Sequence, residues 1–552
     1  MNWRSKVWIL DWLLPVGFGL GLCFMVPLRT AFEFGSDEGF ELMKGLLVSR
    51  GYPLFGEFWN DQPPLHTELL ALLFRICGPS AYAGRLLSVM FAMVMVGALY
   101  QVVRHRSGWV AGLLAVGLLT ASLSFIQLSV SVMLELPAMS VAMASIWAWS
   151  RYRQGKESKL AQKSTFPLPL PARDERGEDR GEGYSSQTGA SSPRPSPLSD
   201  GGEGEKSPAR WNFPESSWKW LVISGVLFGC ALQVKFTAVL LLPALLVDYL
   251  VNRRRIRPDA TTDGERNWWR SHRDVLLWSG ASLAAFGIIL AAFYQMDTLS
   301  IFFGSHFSQG TQQVVASEGY RFRFGSLFED LSMSVPATVG VILIVARRRW
   351  DLLLPVVLLA TALGIHAWHR PFWYYYHLHF SIPLAWLAAV GIVDLFQLIW
   401  KLAFGSSAWG KIRFGIGLLT WSAVTSLALS SLPENLWHEL AKVRVAQSAT
   451  EDRTVAAFKS RAAQTRWVFT NNRIAAFWAG LPIPPELAVI PSKRIWSGQI
   501  SEAEVLSCLN RYQPEMVLVP EDWETKFKLT DYLREHYRPD TEGGIERLYL
   551  RK

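Results

Sequence analysis

The feature that most constrains this chain is a series of apolar runs, each roughly the length needed to cross a ~30 Å hydrocarbon core. About eleven such runs can be drawn, near 7–28, 82–103, 108–124, 132–150, 218–234, 236–252, 274–296, 328–346, 352–368, 378–400 and 414–431. A helix satisfies its own backbone hydrogen bonds in lipid, so the runs predict a membrane-spanning helical bundle. Composition agrees: half of the 552 residues are hydrophobic and 18% are charged, below the ~25% charged share of soluble domains. The first run is too long for the apolar core of a secretory signal, and no A-x-A-like site follows it, so it reads as the first span.

The net charge of +9 invites a nucleic-acid reading, but the basic residues sit in short clusters between apolar runs. With Arg4 and Lys6 inside, alternation places Arg104 and Arg106, Arg151 and Arg153, Arg253 to Arg255, Arg347 to Arg349, and Lys401, Lys411 and Arg413 on the same side. This is the positive-inside pattern. It predicts a multi-pass protein, of the bacterial inner membrane type, with a cytoplasmic N-terminus and no nucleic-acid partner. Segments 29–81, 297–327, 369–377 and 432–552 then lie outside. The four cysteines (Cys23, Cys77, Cys230 and Cys508) show no metal-ligand spacing and read as packing residues.

Two stretches break the pattern. Residues 155–215 are rich in Pro, Gly, Ser and charge, too poor in apolar groups to offset chain entropy, and are expected to be a disordered cytoplasmic insertion in a 1–431 membrane domain. The tail, 432–552, carries the short β-rich runs RWVFTN and PEMVLVP around the helical pattern SEAEVLSCLNRY, which predicts a small extracytoplasmic α/β domain.

Polar residues crowd the first outer loop, where Asp37 and Glu38 follow the first span directly. Two amphipathic segments, Glu38 to Ser49 and Thr67 to Ile76, flank the turn WNDQPPLH and suit short interfacial helices. An acidic pair after the first span, then a Pro-Pro turn before a second interfacial helix, resembles the first outer loop of GT-C-fold glycosyltransferases. The likeness is to the protein O-mannosyltransferase-like branch, which includes the lipid A aminoarabinose transferases. It continues through GRLLSVMFA at Gly84, LELPAM around Glu135, VKFTA around Lys235 and RPFWYYYHLHF, over about residues 1–400.

The resemblance implies an α-helical GT-C bundle that moves a sugar, hexosyl or pentosyl, from a polyprenyl-phosphate carrier to an acceptor hydroxyl. Its partners would be the bilayer, the lipid-linked sugar and an acceptor that is protein, lipid or glycan. The attacking hydroxyl must lose a proton, and Asp37, with Glu38 beside it, takes that role by family position. The departing lipid phosphate gains charge, which cations and donors at the membrane edge would stabilise. Lys235, Arg370, Tyr375, Tyr376, His377 and His379 are candidates there, and Glu135 is placed to orient a neighbour. The resemblance fixes no cofactor and leaves a divalent ion open. Asp61, His66 and His306 are the outer-face donors a divalent ion would use, although they show no tight ligand spacing. The rival reading is a transporter or lipid flippase, which usually shows repeat symmetry and broken midplane helices; no internal repeat is visible here.

Overall fold

A computed structural model describes residues 3–164, 217–256, 266–294, 298–317, 321–328, 330–403, 408–541 and 544–552. A helix lies at each expected span. In the first half these are α1 (Trp3–Met25), α4 (Ala81–Ser107), α5 (Trp109–Thr120), α7 (Glu135–Ser164), α8 (Ser217–Val234) and α9 (Leu241–Ile256). Later spans are α10 (Arg266–Phe293), α13 (Leu331–Ala346), α14 (Leu353–Trp368), α15 (Leu378–Ala403) and α16 (Ala408–Ser430). The remaining helices of the bundle side are α2 (Glu38–Ser49), α3 (Leu65–Cys77), α6 (Phe125–Val130), α11 (Thr298–Phe307), α12 (Gln309–Ser317) and α17 (Leu432–Arg444). Among the described residues, five segments are long and apolar enough to cross a membrane by length and composition: 81–107, 272–293, 350–368, 374–401 and 411–444. Five shorter apolar helices accompany them.

Water cannot drive helices together in lipid, so close backbone approach and internal polar pairs do the joining. On α8, Gly225 and Gly229 face α10 so tightly that an added Cβ would stand 2.4 Å from the carbonyl oxygens of Trp278 and Ser282. Gly340 of α13 and Gly391 of α15 meet in the same manner. The Ser145 and Ser224 hydroxyls pair at 3.1 Å between α7 and α8, and the Trp278 indole donates to Ser224 at 3.0 Å. At the opposite end from the first loop, Asp248 accepts from Arg106, Arg153 and Trp149 at 2.8–3.1 Å, tying α4, α7 and α9.

The first expected correction concerns the insertion. Helix α7 runs to Ser164, ten residues into the stretch expected to be irregular. Its KESKLAQK segment consists largely of strong helix formers, and Lys156 is anchored to Asp274 of α10 at 2.7 Å. The rest of the expected insertion, 165–215, lies outside the described residues.

The first loop and the tail, expected as separate parts, form one body. The tail folds around a four-stranded sheet of order β1-β2-β4-β3, comprising β1 (Val468–Thr470), β2 (Met516–Leu518), β3 (Tyr537–Pro539) and β4 (Leu548–Arg551). Strands β1 and β2 are parallel, with Val468 opposite Met516, and the other pairs are antiparallel. The two runs expected to be strands supply β1 and β2, and SEAEVLSCLNRY supplies the helix Glu502–Tyr512, closed by a capping box from Ser501 and Glu504. Leu42, Met43, Leu46 and Leu47 of α2 share one apolar core with Phe469, Ile474 and Phe477 of the tail. Helix α2 therefore does not lie open on the membrane surface; the tail covers it. Helix α3 keeps an apolar exposed edge at Leu72 and Ile76, as an interfacial helix would. The junction is also polar: Phe32 donates its amide to the Gln447 carbonyl, Ala449 returns one to Thr30, and the Trp478 indole donates to the Phe32 carbonyl.

Candidate functional site

Loop, bundle and tail together line a cavity of about 490 Å³. The first loop contributes Ser36, Asp37, Glu41, Lys44 and Asp61. The bundle contributes Met133, Glu135, Lys235 and the 373–375 turn. The tail contributes Asn471, Arg473, Lys493 and Trp523.

The acidic pair divides. Asp37 occupies the N-cap position of α2 but makes no side-chain capping bond, so its carboxylate is left facing the cavity. Burial raises its pKa above the ordinary carboxylate range, with Lys235 pulling the other way. Glu38 turns inward and is fully buried. Arg85 of α4 grips it with two bonds of 2.8 and 3.0 Å, and the Phe34 amide donates to it at 2.9 Å. Arg85 also donates to the carbonyls of Leu28, Ala31 and Phe32, so this pair pins the chain as it leaves α1. Glu38 is not among the residues lining the cavity.

A connected array stands behind Asp37. Glu135 opens α7 and accepts from Lys235 at 2.5 Å, from Thr237 at 2.8 Å and from His379 at 2.5 Å. His379 continues to His366 at 2.8 Å. Lys235 sits in extended backbone between α8 and the 3₁₀ turn Phe236–Leu240, with its ammonium 4.4 Å from the Tyr375 ring centre. Tyr376 stacks on His379. Among the expected residues, then, Asp37, Glu135, Lys235 and Tyr375 reach the cavity wall, and Tyr376 and His379 support it from behind. Arg370 is not among the residues lining this cavity, and His377 lines a separate one beside Asp330 and Glu439.

The donors expected for a metal do not converge. Asp61 and His306 stand 3.8 Å apart, while His66 is buried beside Glu41 instead, at 3.8 Å. Lys493 approaches His306 to 3.2 Å, placing an ammonium where a further ligand would have to enter. Among the described residues no group of three His, Cys, Asp or Glu could hold an ion. The three expected donors therefore do not form a site that fits a divalent ion.

Sequence reasoning missed the tail's contribution. Asn471 and Arg473 follow the carboxyl end of β1, and Trp523 follows that of β2. Ligands of parallel sheets gather beyond the carboxyl ends of the strands, so the two expected strands carried a usable signal. Arg473 donates to the carbonyls of Asn471, Ala488 and Ile490, and its guanidinium lies 3.8 Å from the Phe40 ring centre. Burial lowers its pKa to about 9. Nothing in the pattern of PSKR marked Lys493.

A family model for dolichyl-phosphate-mannose-protein mannosyltransferases matches residues 61–161 and 213–261, the stretches that include Arg85, Glu135 and Lys235. The fold is similar to that of ArnT from Cupriavidus metallidurans bound to undecaprenyl phosphate. The TM-score is 0.59 at 13% identity, covering 99% of this chain and 98% of that one. It is also similar to the archaeal oligosaccharyltransferase AglB from Archaeoglobus fulgidus in complex with an inhibitory peptide and a dolichol-phosphate. There the TM-score is 0.50 at 11% identity, covering 95% of this chain and 70% of that one. No curated protein matches the chain in sequence. The chain therefore has the GT-C fold, and over residues 61–161 and 213–261, just over a quarter of its length, it is similar to the dolichyl-phosphate-mannose-protein mannosyltransferases.

Proposed function

We propose that the chain is a glycosyltransferase that moves a hexosyl or pentosyl unit from a polyprenyl-phosphate donor to an acceptor hydroxyl at the extracytoplasmic face of a bacterial inner membrane. The observation that carries this reading is the pairing, in one cavity, of a carboxylate at Asp37 that makes no side-chain capping bond with cations on the facing walls. The lipid phosphates bound by the two structurally similar proteins support a donor of that class. Asp37 accepts the acceptor's hydroxyl proton as the oxygen attacks the anomeric carbon. The bond from that carbon to the phosphate oxygen breaks, and the electron pair leaves with the lipid phosphate. Cations fixed before the reaction stabilise the growing charge without reorganising. A transporter reading is less favoured by this arrangement, because the ionisable groups that line the cavity gather at one end of the bundle.

Asp37→Asn keeps the shape and removes the basic oxygen. Transfer from a synthetic polyprenyl-phosphate sugar, by purified protein in matched detergent, should fall by about 10²–10⁴-fold while donor binding persists. The base works only when deprotonated, and its pKa is raised. The wild-type rate should therefore fall with acidification at a pH above the usual carboxylate value of about 4. Near-full activity of Asp37→Asn would remove Asp37 from the reaction.

A further inference from the structure

Four cations line the cavity, and two of them are already matched by carboxylates. Lys44 meets Glu41 at 2.7 Å, and Lys235 meets Glu135 at 2.5 Å. Lys493 differs. Among the described residues no carboxylate lies within 4.0 Å of its ammonium, and its hydrogen-bonding contact is Nε2 of His306 at 3.2 Å. The His306 Nδ1 lies 2.9 Å from both the Phe302 carbonyl, which can only accept, and the Ser305 hydroxyl, which itself donates to Phe302; the tautomer with the proton on Nδ1 and Nε2 accepting from Lys493 satisfies this set. That contact uses one of the three Lys493 protons, and the residue lines the cavity. Asp61 and Asp37 face this ammonium from longer range. The fourth cation, Arg473, is likewise without a carboxylate within 4.0 Å among the described residues, and is held rigid by three carbonyls and the Phe40 ring.

A phosphate entering this cavity meets a charge-matched ammonium on the bundle wall and, on the tail wall, an ammonium and a guanidinium with no carboxylate within 4.0 Å among the described residues. We propose that the tail domain supplies the principal phosphate contact of the donor: Lys493 binds the phosphate oxygens directly, with the Arg473 charge beside it, while Lys235 serves mainly to fix Glu135 and Tyr375. This rests on the lipid-phosphate donor reading above, and it makes the C-terminal domain part of the binding site rather than an appendage.

The test measures binding of decaprenyl phosphate, and of decaprenol as its phosphate-free counterpart, to the full-length protein in detergent. Wild type should prefer the phosphate. Lys493→Gln should weaken phosphate binding by roughly ten- to a hundredfold, the loss of one charged hydrogen-bonding group, and leave decaprenol binding and the thermal midpoint unchanged. Lys493→Arg should restore most of the loss, because a cation is retained; a purely structural lysine would not separate the two ligands. Unchanged phosphate affinity in Lys493→Gln, with a large loss in Lys235→Gln, would overturn the assignment and leave the donor reading standing. A wild type with no preference for the phosphate would overturn both.

Discussion

At the residue scale, Asp37 and Glu38 show how one rotation along a helix separates chemistry from architecture. The two are adjacent in sequence, yet one side chain enters the cavity and the other enters the core. What decides is the partner: Arg85 is fully buried and reaches Glu38 through two nitrogens, and its remaining donors close the carbonyls at the end of α1. A charge buried to this degree is stable only while paired, and removing one member typically costs on the order of 3–5 kcal/mol. Arg85→Met should therefore lower the thermal midpoint of the detergent-purified protein markedly, whereas Asp37→Asn should not. Adding Glu38→Leu to Arg85→Met should recover part of the loss, since an apolar pair of similar volume removes the stranded carboxylate. A single variant as stable as wild type would mean that the pair does not hold the loop. The acidic pair was visible in the sequence, but the division of labour was not, because it depends on an arginine 47 positions away.

At the element scale, spans and their order were legible because the membrane imposes length and composition on each one separately. Their mutual packing was less so. Gly225 and Gly229 stand four apart on α8 and form a small-xxx-small stripe, and its meaning emerges only when α10 lies across it. Neither position has room for a side chain, since the obstructing atoms are backbone oxygens that cannot rotate away. Gly229→Val should force α8 and α10 apart, at a cost of roughly 1–3 kcal/mol or more, the range for overpacked interiors. Gly280→Ala, on α10 with open space around its added carbon, is the matched control. The measurement is the thermal midpoint in detergent; equal midpoints for the two variants would refute the close packing of these helices. The same reasoning explains why the interfacial reading of α2 was incomplete. Its near-helical spacing of Phe40, Met43, Leu46 and Leu47 marks an apolar face, but periodicity does not say whether lipid or another domain covers it. In α2 the tail does, and Gly39 allows the approach, with a Cβ there falling 2.9 Å from the Ile474 amide nitrogen.

At the scale of the whole molecule, the first loop, the ends of α7 and α8, and the tail close over one cavity, so they must share a compartment. The basic clusters gather at the other end, where Arg106 and Arg153 hold Asp248, and Arg349 holds Asp394 at 3.1 Å. These two ends are the molecule's expression of the charge asymmetry seen in the loops, and the positive-inside rule assigns the basic end to the cytoplasm. A cysteine-labelling experiment in intact cells separates the alternatives. Cys77 is exposed and would confuse the readout, so the background carries Cys77→Ser. In that background Glu451→Cys, at an exposed position in the tail, should react with a membrane-impermeant maleimide without any treatment of the cells. Arg348→Cys, exposed in the turn between α13 and α14, should react only after the membrane is permeabilised. The background alone should stay unlabelled, because Cys508 is buried and Cys23 and Cys230 lie within helices of the bundle. The reverse pattern would place the cavity in the cytoplasm, where a donor displayed on the outer leaflet could not reach Asp37, and the proposed reaction would fail on geometry alone.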